Sequence, residues 1–409
     1  MKPGSATALL RSEPTRIGIA TGALQASALI YLLVLRRVGD PGQVAGTLTA
    51  IAVAAALASV ASLKSEVLIS QLSGAVTAET LTRPAVVAAT TLTAYTGLAF
   101  LDRRFGTGLL PIGWTPLLAF TLAVQEIQNF ILIQLRRTTE LLLIRGLQSI
   151  LLIAAAGILA IRPPKTSIDV LGPYVAAHLV PLVPWCLWTL VATTRQSGKQ
   201  IKVRQILRRG AQSSATVFIN SAYLATPYIA AEQRLTEPEA ADFSFSLKLF
   251  LSPITLISRS LGTIYLRYGL HSDEVLREVT RRYSMIAAMA FCPFSIGVGA
   301  YLLTLGDLTE VKWWYVPAIA LSALPQAAVG PVSWVGLLTY RELHFLALAA
   351  FRLMTLSLVL VFSPATALVA VYCVVNPSLY LIYLAAILNS SRAHEHRPSS
   401  VPSDGEDRS

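Results

Sequence analysis

An ionisable side chain at the centre of a lipid bilayer costs roughly 2.5 to 3.5 kcal/mol on insertion scales, so one inside a long apolar run marks an interior cavity or a paired contact. This 409-residue sequence contains few. Glu126 lies in VQEIQNF, bordered by Gln125, Gln128 and Asn129, which share one helical face at i, i+3 and i+4. Arg145, Gln148 and Ser149 share a face in the same way in the next apolar run. Lys248 and Arg259 are eleven residues apart, close to three helical turns, so they project in one direction about 16 Å apart. Arg352 sits in LAAFRLMTLS. These cations come from both halves of the chain, and if they converge on one cavity they make an anion site. Arginine suits phosphate because its planar fork donates two parallel hydrogen bonds, and a diphosphate headgroup is the ligand such a set would hold. The structural alternative is that Arg145 snorkels from the membrane edge and that Glu126 pairs with an arginine. His178, in AAHLVP, reads as a satisfied core histidine, and Lys64 with Glu66 as a helix-end pair.

The elements that must carry these residues follow from composition. Hydrophobic residues make up 54% and charged residues 13% of the chain, about half the charged share of a soluble domain. About 20 apolar residues cross the hydrocarbon core as a helix. Stretches 17–35, 43–63, 84–101, 211–231, 283–306, 313–340 and 365–388 contain no Asp, Glu, Lys, Arg or His, and 113–135, 139–161, 170–194, 240–266 and 343–362 contain one to three. The fold class expected is therefore all-α, a polytopic membrane protein of about twelve transmembrane helices. Prolines 173, 181 and 184, and 317, 325 and 331, are expected to break the sixth and tenth spans. Cys186, Cys292 and Cys373 lie inside spans at no metal-ligand spacing and read as core filler.

The formal charge of +11 is a question of sidedness in a membrane protein, not a sign of nucleic acid. With twelve spans, 21 of the 33 Lys and Arg fall on the side of the N-terminus and 8 on the other. Both termini are thus expected in the cytoplasm. The longest polar interruption among the spans, 195–210, carries six cations and no acid and would lie against the anionic inner leaflet. It divides the chain into a cytoplasmic segment 1–16, a six-helix lobe 17–194, the linker 195–210, a second six-helix lobe 211–389, and a tail 390–409 expected to be disordered. A tandem repeat would give the lobes the same orientation. A trace of one appears at an offset of 197, where Arg37, Asp40 and Pro41 correspond to Arg234, Glu237 and Pro238. All other connections are short, which leaves no large outer loop for a membrane enzyme's catalytic machinery.

Stretch 18–73 resembles the opening of the polysaccharide (O-antigen type) flippases, a family of the superfamily that also holds the multidrug and toxin extrusion exporters and the peptidoglycan lipid flippase. The likeness rests on a small-residue first helix, Arg37, the loop VGDPGQVAG, and LKSEVLIS with Glu66. Segments QSSATVFINSAYLATPYIAA and RLTEPEAADFSFSLKLFLSPITLISRSLGTIYLRYG, with Pro253, are similar to that family's seventh and eighth helices. Four residues after each loop proline the family has glycine, where this chain has Ala45 and Asp242; Lys64 and Ser65 also depart from its pattern. The resemblance implies a two-lobed bundle in a bacterial plasma membrane that moves undecaprenyl-diphosphate-linked oligosaccharide outward by alternating access, for surface polysaccharide biosynthesis. No enzymatic step and no cofactor is then expected, beyond proton or sodium coupling at Glu126; the partners are the lipid-linked substrate, membrane lipids and other polysaccharide assembly proteins. Three other readings remain: a small-molecule exporter of the same superfamily, a polymerase or glycosyltransferase, and a transport-inactive scaffold.

Overall fold

The computed structural model describes residues 13–61, 78–104, 113–135, 137–193, 203–271, 276–304, 314–333 and 342–395. They form twelve α-helices: α1 Glu13–Val38, α2 Pro41–Ala61, α3 Ala78–Arg104, α4 Thr115–Gln134, α5 Thr138–Ile161, α6 Ser167–Thr193, α7 Val203–Arg234, α8 Glu237–His271, α9 Leu276–Thr304, α10 Tyr315–Val329, α11 Glu342–Phe362 and α12 Leu368–Glu395. No strand occurs among the described residues. Eleven of the twelve are long and apolar enough to cross a membrane, and the chain is a multi-pass membrane protein. The exception is α7, whose stretch 211–231 is free of charge but rich in Ser, Asn and Thr.

Local chemistry explains several helix starts. Thr166 and Asp169 at the head of α6 exchange hydrogen bonds, the Asp169 carboxylate accepting from the Thr166 amide at 2.9 Å and the Thr166 hydroxyl accepting from the Asp169 amide at 3.3 Å. Thr236 and Glu239 do half of the same at the head of α8, where the Glu239 carboxylate accepts from the Thr236 amide at 3.3 Å. Both are capping boxes, which satisfy amides that a helix leaves open in its first turn. α2 starts with Pro41, whose missing N–H costs nothing there. The turn into α4 uses Gly113 at φ 86°, a conformation that disfavours a side chain.

Several boundaries differ from the sequence reading. α1 begins at Glu13, ahead of the expected span. Half of the linker, from Val203, is already the first turns of α7, and α12 continues through Glu395 into the expected tail. α6 runs unbroken through Pro173, Pro181 and Pro184. A proline removes one donor and crowds one carbonyl, and neighbouring helices in a membrane bundle hold such a helix together. The tenth helix does stop early, passing into a 3-10 turn at Gly330–Val332. Cys186 and Cys373 are half-buried, but Cys292 is on the exposed face of α9 and fills no core.

The packing repeats. In the first six helices α1 packs along α5, α2 on α4, α3 on α4, α4 on α6, and α5 on α6; in the last six the same pairs recur as α7 with α11, α8 with α10, α9 with α10, α10 with α12, and α11 with α12. Between the two sets, α1 meets α8, α2 meets α7, and α2 meets α8. Exchanging each helix for the one six places along maps these three contacts onto themselves, as a pseudo-two-fold axis requires; α3 also touches α7. α2 can pack this closely on both sets because many of its buried side chains are small, Ala45, Ala50, Ala54, Ala58 and Ala61 among them. The perimeter is apolar, with Val180, Val183, Leu187, Met289, Ile296 and Phe362 among the exposed residues, as expected of a surface solvated by lipid.

Candidate functional site

Within the first lobe, α4, α5 and α6 bring a set of polar side chains into the core. Gln125, Gln128, Arg145, Gln148 and His178 are all buried, between 0% and 4% exposed. The Arg145 guanidinium donates to the Gln148 side-chain oxygen at 3.3 Å, and the Gln148 amide donates to the His178 carbonyl at 2.9 Å. The Gln125 side-chain oxygen, in the orientation that satisfies the network, accepts from Arg145. Ser149 returns its hydroxyl to the Arg145 carbonyl at 2.8 Å. Arg145 is thus enclosed and does not snorkel. Glu126 and Asn129 border the set and are half-buried.

His178 also belongs to an aromatic column. Its ring lies 4.9 Å from that of Tyr174, which lies 5.4 Å from Tyr31 of α1, and the Tyr31 hydroxyl donates to the Val170 carbonyl. His178 Nε2 has no hydrogen-bond partner among the described residues, so it is buried as expected but not satisfied.

Arg352 occupies the corresponding place in the second lobe. It is 2% exposed on α11, and its guanidinium carbon lies 4.5 Å from the ring centre of Tyr223, 4.1 Å from Tyr380 and 4.5 Å from Tyr383. Asn220 accepts from it at 3.5 Å. Tyr223 in turn donates to the Asn376 side-chain oxygen at 2.8 Å, and Asn376 donates to the Ser322 carbonyl at 3.1 Å. The rings present their negative faces to the cation, each contact worth about 0.5 to 2 kcal/mol. Arg352 follows Arg145 by 207 residues, Tyr380 follows Tyr174 by 206, and Tyr383 follows His178 by 205. Each lobe therefore buries a guanidinium on its fifth helix: Arg352 among rings of the first and sixth helices of its lobe, and Arg145 against Gln125 and Gln148, with Gln148 bonded to the His178 carbonyl of the sixth.

The expected convergence of four cations takes a different form: Arg145 and Arg352 each sit inside their own lobe. Lys248 is half-buried on α8, one of the helices at the lobe boundary. Arg259 is on α8 as well, and its side chain lies outside the described residues. So do Lys64, Ser65 and Glu66.

One pair escaped the sequence reading. The Arg36 guanidinium of α1 donates to the Asp242 carboxylate of α8 across the lobe boundary, with side-chain exposures of 14% and 0%. Nearby, a Cβ on Gly42 would come within 2.9 Å of a Glu237 carboxylate oxygen, and one on Gly46 within 3.5 Å of Glu232. Thr49 donates to the Tyr228 carbonyl at 3.4 Å on the same seam. The signal in the sequence was Asp242 itself, an acid five residues into an apolar helix at a position where the resembling family has glycine. Among the described residues no three His, Cys, Asp or Glu side chains gather as a metal site would require.

Neither a protein-family model nor a curated protein matches the chain. Solved structures do. "Lipid II flippase MurJ, inward closed conformation" matches with a TM-score of 0.61 at 12% identity, over 92% of this chain and 87% of that one. A MATE protein in complex with MaD3S matches with a TM-score of 0.58 at 14% identity, over 95% and 98%. An outward-facing multidrug resistance MATE family transporter of the MOP superfamily matches at 0.55 and 16%, over 95% and 98%. Over almost its whole length, the chain has the fold shared by these MATE transporters and the lipid II flippase.

Proposed function

We propose that the chain is a transporter that moves an anionic, lipid-diphosphate-linked oligosaccharide across the bacterial plasma membrane by alternating access of its two lobes. The observation that supports this most is the buried guanidinium of Arg352. Arg352 is surrounded by rings and an amide, all neutral, and carries the fixed charge on which this reading rests. A fixed positive charge in a low-dielectric interior attracts an anionic headgroup over a longer range than it would in water. It repels the organic cations that a drug exporter would carry, which favours the lipid-linked substrate.

In this reading Lys248 and Arg259, on a helix of the lobe boundary, contact the diphosphate directly. Arg352 holds the interior positive, and Gln125, Gln128 and Asn129 offer neutral hydrogen bonds to sugar hydroxyls. Glu126 is the group that couples to a proton or sodium ion. The test is translocation of undecaprenyl-diphosphate oligosaccharide in proteoliposomes, with ethidium efflux as the comparison. Wild type is expected to move the lipid and leave ethidium, and Lys248→Gln and Arg259→Gln to slow lipid transport while remaining folded. Ethidium efflux without lipid transport would transfer the assignment to a small-molecule exporter.

A further inference from the structure

The seam between the lobes is held at one end by charge. Where α1 passes into α2 and α7 into α8, Arg36 is paired with Asp242, and Glu237 lies against Gly42 in the first turn of α2. A helix N-terminus carries about half a positive charge, so a carboxylate there is favoured. Asp242 of α8 therefore holds a side chain at the end of α1, and Glu237 of the same helix lies beside the first turn of α2, whose positive end favours a carboxylate. Glycine at position 42 is what lets the second carboxylate come close.

The repeat shows that this grip is one-sided. At the offset of 197, Asp242 corresponds to Ala45, and Arg36 to the uncharged Gln233, whose neighbour is Arg234. Arg234 is spent inside its own lobe, donating to the Leu360 carbonyl at 3.0 Å and to the Val361 carbonyl at the end of α11. In an interface that a pseudo-two-fold axis maps onto itself, a charge on only one of two equivalent positions is not required by packing. Small residues suffice at the other copy, as Ala45 shows.

We propose that Arg36 and Asp242, with Glu237 on the α2 N-terminus, form a latch that closes this end of the lobe seam and is broken and remade in each transport cycle. On the distribution of Lys and Arg this is the outer end. The latch rests on the transporter reading for its part in a cycle, but its geometry does not depend on what is carried. Asp242 is completely buried, so a partner is needed whenever the end is shut; when the lobes separate, water reaches both charges and the pair dissolves.

Spin labels at Arg37→Cys and Gln233→Cys, exposed positions in opposite lobes, report the opening in nanodiscs without any substrate, in a background with Cys186, Cys292 and Cys373 replaced by alanine. With the Arg36–Asp242 pair intact the protein should show one short distance. Asp242→Asn and Arg36→Gln should each move the population to longer distances, and the exchanged pair Arg36→Asp with Asp242→Arg should bring the short distance back. Unchanged distances in the single variants, or an exchanged pair as open as the singles, would overturn the latch. Should a single variant fail to fold, a short thiol crosslinker between Arg36→Cys and Asp242→Cys decides: transport should fall to background and return on cleavage, and an undiminished rate when crosslinked would show that this end need not open. Longer distances in the single variants with no lipid translocation by wild type would leave the latch standing and remove only the proposed substrate.

Discussion

Burying a guanidinium without a carboxylate requires an environment that replaces water on every side, and Arg352 has one made of three ring faces and an amide oxygen. Lysine keeps the charge but not the flat surface that three rings can stack around. Arg352→Lys is therefore expected to lower stability by about 1 to 3 kcal/mol, seen as a lower melting temperature in detergent, with the fold retained. In the first lobe Gln148 holds both Arg145 and the His178 carbonyl. Gln148→Leu should cost about 1 to 3 kcal/mol, because it leaves buried polar groups without partners. The first of these clusters was legible in the sequence, since 145, 148 and 149 fall on one helical face by spacing alone. The second was half legible: Tyr380 and Tyr383 are three residues apart on one face, but nothing local says that Arg352 lies between them and Tyr223. Asp242 and Arg36 are 206 positions apart, and no periodicity links them.

Among the helices, the tightest approach is where α10 gives way to its 3-10 turn against α8. A Cβ on Gly330 would fall 1.8 Å from the Ser258 hydroxyl oxygen and 2.8 Å from its Cβ. Gly330→Ala should thus destabilise by about 1 to 3 kcal/mol, as overpacked cores do. Because the obstruction is one side chain, adding Ser258→Gly should recover most of the loss apart from about 1 kcal/mol for glycine in a helix. A double-mutant cycle on thermal stability checks both statements. The sequence placed all twelve helices, because long apolar runs are an unambiguous consequence of the lipid solvent. It misjudged how proline acts in α6: a lone chain would break there, but the surrounding helices do not let it. It also misplaced helix ends, since caps such as Thr236 with Glu239 are set by a few polar residues that apolarity does not register.

For the whole molecule, two sets of six helices repeat one packing scheme and meet across α1, α2, α7 and α8. The sequence offers a basic interruption and three matched residues, but the seam between the two sets was not legible there, because it is made of contacts between distant parts of the chain. Locking that seam by the crosslink described above is expected to stop transport without changing the thermal stability of either lobe. The composition of α7 has a further consequence, for how the chain is made. α7 packs along α2 of the other lobe and α11 of its own, and although 211–231 carries no charge, it is the least apolar of the twelve, falling short of the hydropathy of the other eleven. During synthesis it leaves the ribosome after α2 and well before α11. A helix of this composition partitions poorly from the translocon into bare lipid, so a chain cut short after α7 should leave that segment accessible to water-soluble thiol reagents, and one extended through α11 should protect it. The second lobe would then be threaded into the membrane against the first, with the joining helix waiting for both of its neighbours.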